Sequence, residues 1–154
     1  MIARWKLWKW RLTFTAAKVV NVIGANSQID KDEHVLMWDF DGIPLAKVKK
    51  ALQFIQTHFE LPEIRIFRTS PGTNYQAWCY KRVSWWKAKM IVARTHYVDE
   101  GFYRFAVFRG HFTLRTSDKQ GRRIRLIATL PSKVPEDAHE FALISWTKYE
   151  TLAK

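Results

Sequence analysis

Apolar residues are densest between Val35 and Phe40, where Val35-Leu36-Met37-Trp38 runs without a polar break into Asp39-Phe40-Asp41-Gly42. A short apolar run of this kind reads as a buried strand. Strand alternation then sends Asp39 and Asp41 to the same face at its C-terminal end. Past Gly42 the period changes. Leu45, Val48, Leu52, Ile55 and Phe59 recur at spacings of three and four, which predicts a helix from about Pro44 to Phe59 with Pro44 in its first turn. Lys47, Lys49 and Lys50 fall off that stripe and mark a solvent face. Pro62 closes the connection, and Ile64-Arg65-Ile66-Phe67 reads as the next strand. Strand, helix, strand in this order predicts a crossover unit with parallel neighbours.

The flanks follow a looser pattern. Trp8, Trp10, Leu12 and Phe14 alternate with Lys9, Arg11, Thr13 and Thr15, the period of a half-buried strand with a basic outer face. Residues 24–33 are polar and read as a loop. Between Lys81 and about His96 a second helix is expected, with Trp85, Ala88 and Val92 along one side and Lys87 and Lys89 on another. Beyond Val98-Asp99-Glu100-Gly101, the runs 102–108, 112–116 and 123–130 read as three strands joined by hairpin-length connections. Pro131 and Pro135 punctuate a polar linker, and residues 138–152 form a final helix or strand. The expected architecture is one α/β domain over residues 1–154, with a mixed sheet, an N-terminal β-α-β crossover unit and a C-terminal antiparallel unit.

Composition narrows the chemistry. The 154 residues include 26 Lys and Arg against 14 Asp and Glu, a formal net charge of +12. Such a surplus favours a polyanionic partner, of which nucleic acid is the commonest. Eight Trp, several beside Lys or Arg, would suit stacking on unpaired bases. The single cysteine, Cys79, excludes an internal disulfide framework and a Cys-rich zinc site. No apolar stretch approaches the roughly 20 residues that span a bilayer, and the basic N-terminus lacks the pattern of a secretory signal. The expectation is a cytoplasmic protein with no membrane partner.

The candidate chemistry starts at the acidic strand end. Two carboxylates on one face suit a hard divalent cation, Mg²⁺ or Mn²⁺, and phosphoryl chemistry. After the next strand comes Arg68-Thr69-Ser70-Pro71-Gly72-Thr73-Asn74-Tyr75-Gln76, a turn rich in hydroxyl, Gly and amide groups of the kind whose N–H groups can meet a phosphate. A third acid, Asp99, follows, and Arg115 and Lys119 lie further on.

This order along the chain resembles the catalytic core of the archaeo-eukaryotic primase superfamily, the primase-polymerases of cellular, plasmid and viral replication. Its Asp-x-Asp strand matches Val35 to Asp41, its Ser-Gly-x-His turn Ser70 to Gln76, its apolar-Asp step Val98-Asp99, and its Arg segment with a downstream Lys Leu114 to Lys119. The resemblance covers roughly residues 33 to 130. It implies a primase-polymerase-like core whose antiparallel unit is RRM-like. It also implies that Asp39, Asp41 and Asp99 are catalytic ligands of Mg²⁺ or Mn²⁺. Ser70, Gly72, Gln76, Arg115 and Lys119 would then hold a nucleoside triphosphate, and Arg68, Lys81, Arg82, Arg122 and Arg123 a DNA template or primer. The implied activity is template-dependent nucleotidyl transfer for replication of a mobile element, with a helicase or replication initiator supplied in trans. Gln76 departs from the pattern: it stands at the position of the family's His and carries neither a transferable proton nor a full charge. His96 and His111 are candidates to replace that His in space. Two other readings stay open. One is a nucleic-acid-binding replication protein whose site has decayed. The other is a haloacid-dehalogenase-type phosphatase, whose first motif Trp38-Asp39-Phe40-Asp41-Gly42 also resembles, with Asp39 as nucleophile.

Overall fold

The computed structural model of the chain describes residues 2–8, 10–15, 18–70 and 72–152. The sequence forms an α/β fold of antiparallel sheets and three α-helices. The first strands, β1 (Ile2–Leu7) and β2 (Trp10–Thr15), pair as an antiparallel hairpin. The strand expected from Trp8 thus begins at Trp10, and Lys9 lies outside the described residues. Residues 24–33, expected as a loop, instead lie mostly in strands: β3 (Val19–Asn26) and β4 (Gln28–Asp30) lead into β5 (Glu33–Phe40), with Ser27 and a turn at Lys31 and Asp32 between them. Polar composition misled here because Asn26 and Ser27 are buried and satisfied, Asn26 donating to Ser145 and Thr147 and Ser27 sharing a 2.9 Å hydrogen bond with His34.

Helix α1 (Leu45–His58) follows the apolar stripe closely, burying Val48, Ala51, Leu52 and Ile55. Strand β6 (Ile64–Arg68) comes next, then β7 (Tyr75–Ser84). The crossover unit differs from expectation. Strands β5 and β6 run parallel but are not neighbours, since β7 is inserted between them and pairs antiparallel with both. Their register places Asp39 opposite Gln76, and Gln76 opposite Phe67. The sheet order is β4-β5-β7-β6-β9, and each of its pairings is antiparallel, so the mixed sheet is replaced by an antiparallel one. The second helix also starts later than expected: residues 81–84 complete β7, and α2 (Trp85–Ala93) begins after Ser84, whose hydroxyl caps it by accepting from the Lys87 N–H.

The segment 102–108, expected as a strand, is helix α3 (Glu100–Arg109). Its ends are fixed by local chemistry that overrides the strand preference of its aromatic residues. Asp99 caps the start by accepting from the Phe102 N–H at 2.6 Å, and Gly110, at φ 83°, closes the end in the left-handed region that glycine enters without strain. The remaining two strands do not form the expected hairpins with each other. Instead β8 (Thr113–Arg115) pairs with β3, while β9 (Arg125–Leu130) pairs with β6. The chain ends in a 3-10 turn, Glu140–Ala142, and β10 (Trp146–Leu152), which pairs along β3 to complete a second sheet of order β10-β3-β8. No helix among the described residues is long and apolar enough to cross a membrane.

The two faces of β5 carry different partners. Trp38 donates its indole N–H to Thr95 just beyond α2, at 2.9 Å, so its face meets the helices. Asp39, on the opposite face, shares a cavity with Arg115 of β8 and Tyr149 of β10, and so meets the second sheet. Phe112 joins the layers. It is fully buried and packs on Trp85 of α2 and on Phe102 of α3.

Candidate active site

Three strand ends converge on the site. Because β7 runs against its neighbours, the C-terminal ends of β5 and β6 meet the start of β7, which brings Asp39, Arg68 and Gln76 to one edge. The turn after β6 is tied to the loop after β5. Gly42, at φ 73°, donates its N–H to the Asn74 side chain at 3.0 Å, and the Ile43 N–H bonds to the Thr73 carbonyl at 3.1 Å. These two ties, one to a side chain and one to the backbone, join the loops that carry Asp41 and Ser70, and both residues line one cleft.

A cleft of about 270 Å³ opens there, lined by Asp39, Asp41, Thr69, Ser70, Asn74, Gln76, Arg115, Lys119, Arg122 and Tyr149. Seven of the residues singled out in the sequence thus come together: Asp39, Asp41, Ser70, Gln76, Arg115, Lys119 and Arg122. Asp99 lies next door. It lines an adjoining cavity with Asp39, Arg109, His111 and Tyr149, and its N–H donates to the Asp39 carbonyl at 2.9 Å. Arg68 and Arg123 line a third cavity of about 550 Å³, with Arg125 and Leu126, that shares Ser70 and Arg122 with the cleft. Gly72 is exposed in the turn, at φ 97°, and Pro71 lies outside the described residues.

Other expected residues stand apart. Lys81 and Arg82 sit towards the far end of β7, in ion pairs with Asp137 and Glu33. The antiparallel run of β7 carries them away from Asp39, and their charge is already compensated. His96 is also remote, beside Phe54 and Tyr97, whereas His111 reaches the Asp39–Asp99 cavity. Burial and the neighbouring Arg109 lower the His111 pKa.

The electrostatics of the cleft centre on Asp39. Burial, followed by the charges of Asp41 and Asp99, pushes its pKa up to about 7 against the pull of the Phe40 N–H and Arg115. Arg115 is anchored by carbonyls: its guanidinium donates to Ser117 O at 2.6 Å and to Thr69 O at 2.7 Å. Burial lowers its pKa, while Tyr149, Asp118 and Asp39 oppose that effect. Gln76 explains how Arg115 is placed. In the orientation that satisfies both ends of its amide, Gln76 donates to the Arg115 carbonyl at 3.0 Å and accepts from the Arg115 N–H at 3.3 Å. It thus bridges the two sheets beneath the cleft. Tyr149 was not foreseen, because nothing local in the final segment indicates that β10 returns to β3. Burial raises its pKa, with Arg115 opposing and Asp39 reinforcing the shift.

The donor set fits a divalent cation in part. Asp39 and Asp41 share the cleft, and a cation there would offset both the burial and the carboxylate repulsion that raise the Asp39 pKa. The three acids do not form a closed ligand set. Among the described residues no group of three His, Cys, Asp or Glu side chains has metal-holding geometry, and one Asp99 carboxylate oxygen is engaged as the α3 cap. Comparison with models of known families, with characterised proteins and with solved structures gives no match for this chain.

Proposed function

We propose that the chain is a template-dependent nucleotidyltransferase, a DNA primase or polymerase serving a mobile element, that acts with Mg²⁺ or Mn²⁺. One cleft supports this reading above all: it joins the carboxylates of Asp39 and Asp41 to Ser70, Arg115, Lys119 and Arg122, the combination a metal-bound triphosphate requires. Asp39 and Asp41 hold the cation, with Asp99 beside them. When bound, the cation polarises the transferring phosphate and lowers the pKa of an attacking hydroxyl. Arg115, Lys119 and Arg122 balance the phosphate charge. Without a cation the Asp39 carboxyl has its pKa raised to about 7, and a bound cation would favour its ionised form. The adjoining cavity with Arg68, Arg122, Arg123 and Arg125 takes the phosphates of a DNA template or primer, and unwinding falls to a helicase or initiator in trans.

A second reading has its own support. Asp99 is engaged as a helix cap and Gln76 as a bridge between sheets, which favours a nucleic-acid-binding protein without turnover. One assay separates these two and the phosphatase reading. The protein is incubated with Mn²⁺ or Mg²⁺, labelled nucleotides and a primed or single-stranded template. Metal-dependent extension lost in Asp39→Ala and Asp41→Ala is the expected result. Salt-sensitive binding with no extension supports the second reading. Release of phosphate from a small phosphomonoester through Asp39 supports the phosphatase.

A further inference from the structure

A second groove lies on the other side of the five-stranded sheet. Trp38 and Asp39 point to opposite faces of β5, and Trp38 reaches Thr95; His96 and Tyr97, which follow directly, are thus on the helix side. There, Lys47, Lys50, Ala51 and Phe54 of α1 face His96 and Tyr97 across a cavity of about 290 Å³. Two aromatic rings are left open to solvent: Phe54 is 61% exposed and Tyr97 50%. The Lys47 ammonium sits 5.7 Å from the Tyr97 ring centroid. Tyr97 also holds φ at 69°, a left-handed conformation that is uncommon for a bulky residue and tends to persist where the side chain is put to use. Among the described residues no acidic side chain lines the groove.

We propose that this groove binds unpaired bases of a single-stranded nucleic acid, with Phe54 and Tyr97 as stacking surfaces and Lys47 and Lys50 on the adjoining phosphates. One face of Phe54 stacks on His58 and Lys47 lies over Tyr97, but Phe54 stays more than half exposed and Tyr97 half exposed. Exposed rings among lysines match unpaired bases joined by phosphates better than a duplex, whose bases are already stacked. An acidic peptide would use the lysines but would leave both rings without a partner. The chain's net charge of +12 favours the same polyanion. The groove shares no lining residue with the Asp39 cleft, so it does not depend on that cleft being catalytic.

The test uses fluorescence anisotropy with the full chain and two labelled strands of about 20 nucleotides. One is oligothymidine; the other has the same phosphates but abasic sugars in its central half. The variant is the double substitution Phe54→Ala and Tyr97→Asn. Alanine is favourable on an exposed helix surface and asparagine tolerates the left-handed backbone, so both changes preserve the fold, which circular dichroism checks. The wild-type protein is expected to prefer the base-bearing strand by about tenfold, the scale of one stacked base. The double variant is expected to lose that preference while still binding the abasic strand. Asp39→Ala is expected to keep the preference, whether or not it abolishes extension. Equal wild-type affinity for the two strands, no binding of either, or an undiminished preference in the double variant would each overturn the proposal.

Discussion

The two ends of the five-stranded sheet use the same residue types in opposite ways. At the far end of β7, carboxylates and cations neutralise one another. Lys81 pairs with Asp137 at 2.8 Å, Arg82 with Glu33, and Arg65 with Glu63 and Glu136 at 2.9 and 3.0 Å. Burial raises the Asp137 carboxyl, but hydrogen bonds from Lys81 and the Arg82 N–H outweigh it and hold its pKa below the ordinary value. At the Asp39 end, three carboxylates repel one another and Arg115 is anchored to carbonyls. One end is complete as a folded structure. At the other, burial and neighbouring carboxylates raise the Asp39 pKa, and the proposed function assigns a cation to that position.

The largest expected effect is on turnover. Asp39→Asn and Asp41→Asn each lower metal-dependent extension by more than about a hundredfold, whereas Lys81→Met, at the compensated end, leaves the rate within about twofold, because exposed pairs contribute little. Steady-state rates on a primed template measure both.

Stability should respond in opposite directions at the two ends. The Asp39 pKa is raised, so its contribution is fully present below the unfolded value near 3.8 and is lost as pH rises through about 7. Asp39→Asn therefore stabilises the protein at pH 8, by roughly 2–4 kcal/mol, and flattens the pH dependence between 4 and 7. The Asp137 pKa is lowered, so its contribution is present above the unfolded value and is lost as pH falls through the folded one. Asp137→Asn costs about 1 kcal/mol or less at pH 8, discounted for solvent screening, and nothing at low pH. Urea melts at pH 4, 6 and 8 measure both slopes.

Gln76 is the hinge of the comparison, because the site end is built on its bridge to Arg115. Gln76→Leu leaves the Arg115 N–H and carbonyl without partners and costs about 1–3 kcal/mol. It also weakens nucleotide binding through the displaced guanidinium. Because that bridge is to the Arg115 backbone, Gln76→Ala with Arg115→Ala should cost about the sum of the two single changes in stability. The smallest effect is expected at His96. His96→Asn leaves extension unchanged, since His111, and not His96, shares a cavity with Asp39.

What could be read in the sequence was what local periodicity encodes. The stripe of Val48, Leu52 and Ile55 matches α1, and the run ending in Asp39-Phe40-Asp41 forms a strand that stops at Phe40, with Asp39 near its end and Asp41 just past it sharing a cleft. Helix α3 was misread because Phe102, Tyr103, Phe105 and Phe108 favour strands singly, while its sequence cues, a capping Asp99 and a closing Gly110, lie outside the segment. The insertion of β7 between β5 and β6 and the return of β10 along β3 are long-range pairings with no local signature. For the same reason Tyr149 stayed hidden and Gln76 looked like a defect. Its role depends on β8, which lies nearly forty residues further on and in the other sheet.

The central claim is that Asp39 lies buried beside two further carboxylates that raise its pKa, and the proposal is that a cation binds there. A direct measurement follows the Asp39 carboxyl by carbon NMR through a pH titration, with and without Mg²⁺, using Asp39→Asn to assign the resonance. The expected result is a midpoint near 7 that falls when Mg²⁺ is added. A midpoint near the ordinary value of 3.8, unchanged by Mg²⁺, would contradict it.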